Sequence, residues 1–116
     1  MINPLKNYKI LIVDADVEIA QVVSYVLNEM GFSNVQSTNN GKDALSLIQS
    51  TQFDFIITEW HAQQMDGIGL VDFIRHDPQS VNPNIPVIIT SEFVRLVILI
   101  VAIQIVYQIL SVAYGE

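Results

Sequence analysis

The chain contains no cysteine, which excludes disulfides, thiolate metal sites and thiol catalysis and fits a reducing compartment. Basic residues are scarce: five Lys and Arg face twelve Asp and Glu, for a formal net charge of −7. That balance repels phosphate backbones, so direct nucleic-acid binding is not expected. Met1 to Tyr8 holds no apolar run of the kind a cleaved secretory signal requires, and a cytoplasmic location is the expectation. No glycine-rich phosphate loop is present, so nucleotide hydrolysis and dinucleotide binding have no support. Lysine does not recur after Lys42, nor proline after Pro86. From Leu96 to Tyr114 the only ionisable groups are the phenols of Tyr107 and Tyr114.

What is present is a chain of 116 residues, 51% hydrophobic, enough for one domain with its own core. Lys9-Ile10-Leu11-Ile12-Val13 is a short β-branched run without polar alternation, as in a parallel strand buried on both faces. Ile19, Val22, Val23, Val26, Leu27 and Met30 then follow helical spacing, with Gly31 where a helix stops. Val35 to Thr38 predicts a second short strand, and Ala44, Leu45, Leu47 and Ile48 a second amphipathic helix after Asn39-Asn40-Gly41. Phe53 to Thr58 reads as a third strand, and Asp66-Gly67 opens a helix carrying Leu70, Val71, Phe73 and Ile74, ended by Asp77-Pro78. Asn84 to Thr90 reads as a fourth buried strand, entered through Pro86. Four βα units in series predict an α/β fold with a doubly wound parallel sheet.

Ligands of such sheets bind beyond the carboxyl ends of the strands. Those ends are acidic or hydroxylic here: Asp14 and Asp16 after strand one, Thr58-Glu59 after strand three, Thr90-Ser91 after strand four. Convergent carboxylates offer the hard oxygen donors that Mg²⁺ prefers, and a neighbouring hydroxyl suits a phosphoryl oxygen. A strand-end aspartate also serves as a helix cap, and Asp16 is open to both roles. Trp60 and His61 lie in the loop after strand three, where an aromatic either meets a partner or covers the pocket. His76 reads as a helix-end residue.

The series Lys9 to Asp14, Asn39 to Leu45, Phe53 to Trp60, Met65-Asp66-Gly67 and Ile85 to Ser91 resembles the response-regulator receiver family of two-component phosphorelay signalling, CheY-like, over about residues 9–92. The resemblance implies a flavodoxin-like fold and transfer of a phosphoryl group from phosphohistidine to an aspartate at the end of strand three, with Mg²⁺ bound. By position, Asp14 matches the first of the family's acidic pair, and Ala15 stands where the second acid belongs, so Asp16 is the candidate to compensate. Glu59 occupies the phosphoacceptor position, His61 the position whose backbone carbonyl helps hold the metal, and Thr90 that of the switch hydroxyl. Gln63 stands where the family often has proline. The Lys-Pro expected after a fifth strand has no counterpart.

These departures bear on chemistry. The extra methylene of Glu59 moves its carboxylate forward by about 1.5 Å, into space a phosphoryl group would fill, and a misplacement near 1 Å can cost about 10²-fold in rate. The absent lysine removes a cation that would offset phosphoryl charge. A lengthened carboxylate reaching Thr90 would imitate the phosphorylated arrangement with about one charge in place of nearly two.

The core is read as residues 1–92 and the atypical tail as residues 93–116. Phe93 to Tyr114 predicts one long apolar helix in place of the family's usual last helix, strand and helix, with Val94 to Val101 also compatible with a strand. Gln104, Gln108 and Ser111 form a weakly polar stripe on that helix. Trp60, Phe93 and Arg95 are the candidate interaction residues, and burial of the tail in a homodimer is expected.

The function expected is that of an atypical, non-enzymatic receiver acting as a regulatory and interaction module, with weak Mg²⁺ binding and a sensor histidine kinase or output domain as partner. The alternatives are a phospho-accepting receiver with residual Mg²⁺-dependent transfer, and a membrane-anchored signalling fragment with Leu96 to Tyr114 as its anchor.

Overall fold

The computed structural model describes residues 4–59 and 67–114. A 3₁₀ turn, Pro4–Asn7, precedes β1 (Lys9–Val13), α1 (Val17–Glu29), β2 (Asn34–Thr38), α2 (Gly41–Ser50), β3 (Phe55–Glu59), α3 (Gly67–His76), β4 (Val87–Thr90) and α4 (Glu92–Tyr114). All strand pairs are parallel, in the order β2-β1-β3-β4. This is the flavodoxin-like α/β arrangement the βα series predicts. The tail is helical from Glu92, and the strand alternative for Val94 to Val101 is not realised.

Local chemistry sets most of these boundaries. Asp16 accepts at Oδ1 from the Glu18 and Ile19 amides at 3.0 and 3.2 Å, capping α1. Gly31 then turns the chain out of α1 with φ 111°, a conformation costly to a side chain with a Cβ. Asn40 caps α2 by accepting from the Asp43 amide at 2.7 Å. The third strand starts at Phe55, two residues later than the apolar run suggests: Phe53 is buried as a loop residue, and the Asp54 side chain accepts from the Lys9 amide at 2.7 Å.

Alternation along β1 divides the core. Leu11 and Val13 face α2 and α3, packing with Ala44, Ile48, Ile56, Leu70 and Ile74. Ile10 and Ile12 face the other side with Ala20, Val23 and Leu27 of α1, and Ile98 of α4 packs against that second cluster. Helix α4 therefore lies chiefly on α1. Strand β4 departs from the expectation of full burial: it is an edge strand of the described sheet, and Ile88, whose side chain leaves through a sheet face, remains 52% exposed.

Candidate functional site

Parallel register brings the chemically distinctive residues to one edge of the sheet. Val13 pairs with Thr58 and Glu59 with Thr90, so Asp14, Glu59 and Thr90 emerge side by side at the carboxyl ends of β1, β3 and β4. All three are nearly buried, at 4%, 7% and 4% exposure. Buried carboxylates need hydrogen-bond donors, and backbone amides supply them. Asp14 Oδ1 accepts from the Asp16 amide at 2.9 Å, and Glu59 Oε1 accepts from the Ala15 amide at 2.6 Å.

The second bond gives the lengthened acceptor-position side chain a partner on the β1–α1 connection. Ala15, the position lacking the family's second acid, presents its N–H to the glutamate and sets no rival carboxylate beside it. Thr90 is engaged elsewhere: its hydroxyl donates to the Thr58 carbonyl at 3.5 Å. The expected Glu59–Thr90 hydrogen bond is not formed: Glu59 Oε1 accepts from Ala15 on the β1–α1 connection, and the Thr90 hydroxyl is directed to the backbone of β3. Thr58 donates its own hydroxyl to the Glu59 carbonyl at 3.2 Å.

Gly67, at the start of α3, lies close against the backbone of Glu59. A Cβ placed there would lie 2.6 Å from the Glu59 carbonyl oxygen, closer than two such atoms can sit. The Asp66-Gly67 pair read from sequence therefore has a steric reason at its second member, where α3 begins against the last residue of β3. Trp60, His61 and Asp66 lie outside the described residues, as do the side chains of Phe93 and Arg95.

Asp16 is placed differently from the other acids. Its Oδ1 is the cap of α1, so the structure realises the capping role for this residue. Among the described residues no group of three or more His, Asp or Glu side chains is arranged to hold a metal ion. Asp14 and Glu59 remain as two adjoining buried carboxylates, a donor set that suits Mg²⁺ retaining most of its waters better than an ion caged by protein.

Two features escaped the sequence reading. One is the Ala15 amide, which carries no side-chain signal. The other is a crevice of about 350 Å³ beside the site, lined by Asp14, Val17, Ala20, Gln21, the end of β2 at Ser37 and Thr38, and Asn39 just beyond it. The Asn39-Asn40-Gly41 punctuation pointed only to a turn there.

Comparison with known proteins agrees with this geometry. The family model for the response regulator receiver domain matches residues 10–108, reaching well into α4. Chemotaxis protein CheY-3 of Vibrio cholerae is 38% identical over 91 residues, which are 78% of this chain and 68% of that protein. The receiver domain of Francisella response regulator 1452 is similar in structure at a TM-score of 0.65 and 36% identity, covering 73% of this chain and 66% of that one. The structure of CheY4 of Vibrio cholerae gives a TM-score of 0.63 at 30% identity, covering 71% of this chain and 66% of that one. The match thus spans about two thirds of the length of these relatives. Parallel sheet order, the acidic and hydroxylic strand ends and the extent of the family match lead to one conclusion: the chain belongs to the response-regulator receiver domain family.

Proposed function

We propose that this receiver domain works as a regulatory and interaction module of two-component signalling and does not take up a phosphoryl group in the usual way. The observation that carries the reading is the 2.6 Å bond from the Ala15 amide to Glu59 Oε1. It ties the carboxylate at the acceptor position to the neighbouring loop instead of leaving it to act as nucleophile. The longer side chain supports the same reading, as does the lack of any lysine after Lys42 to balance phosphoryl charge.

Receiver domains are signalling modules that interact with histidine kinases and output domains and typically bind Mg²⁺ at the phosphorylation site. For this chain the proposal is weak Mg²⁺ binding at Asp14 and Glu59, a cytoplasmic location, and self-association through the C-terminal segment. The acidic surface supports a protein partner over a nucleic acid.

Intact-mass measurement after incubation with a small-molecule phosphodonor and Mg²⁺ tests the central point. The expected result is an unchanged mass, and a stoichiometric, acid-labile gain would sink the reading. Glu59→Asp alone is expected to recover little, since it restores the acceptor without the cation.

A further inference from the structure

Helix α4 is long and apolar enough to cross a membrane, yet almost none of its Leu96–Ala113 span is buried within the chain. Ala102 is buried against α1, and Ile98 packs on the cluster formed by Ile10, Ile12, Ala20, Val23 and Leu27. At about 100° per residue, Gln104 and Ser111 fall roughly opposite Ala102, and Gln108 beside them. The weakly polar stripe therefore points away from the domain. One flank between these two sides carries Ile103, Val106 and Leu110, exposed by 61%, 43% and 50%.

That flank continues into a groove of about 500 Å³ between the helices, walled by Val22 and Tyr25 of α1 and by Ala102, Ile103 and Val106 of α4, with Glu18 and Gln21 at its rim. Among the described residues of α4, ten large apolar side chains are exposed. At roughly 50–100 Å² each they present on the order of 500–1000 Å², more than the few hundred Å² of a typical monomer's apolar patch.

We infer that the α1–α4 groove is the docking surface for a second copy of this chain, whose own Ile103–Val106–Leu110 flank fills it across a two-fold axis to form a four-helix layer of two α1 and two α4 helices. A two-fold arrangement lets one self-complementary patch cover both copies. The polar stripe then stays at the outer surface, where a bilayer would instead surround it with hydrocarbon. Withdrawing α4 into a membrane would also strip Ile98 and Ala102 from α1, and only Ser91 separates β4 from the helix. The inference deepens the interaction-module reading and rests on it.

Sedimentation velocity of the full chain in detergent-free buffer tests the inference. The expected species has twice the 13.0 kDa chain mass. Ile103→Glu should weaken the dimer by more than about tenfold, as expected for a central contact, whereas Gln104→Glu on the outer stripe should leave it intact. The cysteine-free chain allows a second measurement that does not depend on a charged variant folding: with a short thiol crosslinker, Ile103→Cys should join two chains rapidly and Gln104→Cys slowly. A monomer at micromolar concentration, equal crosslinking at both positions, or flotation of the chain with phosphatidylcholine vesicles would each overturn the inference. Failure here is distinguishable from failure of the functional reading, since only the latter is struck by a phosphoryl mass gain.

Discussion

Glu59 and Ala15 have to be considered together. A longer acid stands at the end of β3, and no acid stands at the second position after β1, so the glutamate oxygen meets a backbone amide there at 2.6 Å. Glu59→Ala should cost about 1 kcal/mol by leaving that amide without its acceptor. Glu59→Gln keeps an acceptor oxygen and should cost clearly less. Urea unfolding of the three proteins decides the matter: equal losses in both variants would mean that the bond contributes nothing. Gly67 is constrained by backbone instead. Its missing Cβ is what allows α3 to begin 2.6 Å, measured from that virtual atom, from the Glu59 carbonyl. Gly67→Ala should therefore destabilise by about 1–3 kcal/mol through overpacking, although alanine is the better helix former. A thermal midpoint equal to or above that of the parent would show that the helix start shifts freely.

Among the elements, α1 separates capping from ligation. Asp16 holds the Glu18 and Ile19 amides, whereas Asp14 is buried at the strand ends. Asp16→Ala should cost about 1 kcal/mol of stability and leave weak Mn²⁺ or Mg²⁺ binding as it was, while Asp14→Asn should abolish that binding. Equal weakening in a metal titration would place Asp16 at the ion after all. The same contrast shows how far sequence reaches. Strand β1 and helices α1 to α3 were legible because their burial is periodic: β-branched runs mark the strands, 3.6-residue spacing marks the helices, and Asn40 and Gly31 mark ends. The convergence of Asp14, Glu59 and Thr90 followed from the parallel topology alone. The hydrogen-bond partners did not, because a side chain's direction is set by neighbours such as the Ala15 amide that leave no trace in residue type. Strand β4 was longer and more buried in the sequence pattern than in the fold, since Ile85 is buried but lies outside the sheet and Ile88 is exposed. Helix α4 was legible as a helix, and its weakly polar stripe marked the outward side, but its seat on α1 was not legible, because a helix apolar on nearly every other side does not show which neighbour it packs against.

For the whole molecule, net charge and apolar surface oppose each other. Each chain carries −7, and Glu18 stands at the rim of the α1–α4 groove, so two copies approaching through that groove repel electrostatically while burying the flank of α4. Repulsion between exposed charges is screened within about 10 Å at 0.1 M salt, whereas apolar burial is not weakened by salt. Association should accordingly strengthen as salt is raised, the reverse of an interface built on ion pairs. Folding should report the same balance, because Ile98 joins the α1 cluster that Ile10 and Ile12 share with the sheet, and docking of α4 is thereby coupled to the core. A partner that binds only the folded chain stabilises it by mass action. The thermal midpoint should therefore rise with protein concentration, by a larger step at moderate salt, where the dimer is closer to saturation. Melting curves followed by circular dichroism over a roughly hundredfold concentration range, at low and moderate salt, provide the check. A midpoint that ignores concentration at both salt levels would mean that the exposed flank of α4 contributes nothing to the folded state through a second copy. A midpoint that falls with salt would place the association at charged surfaces away from the groove.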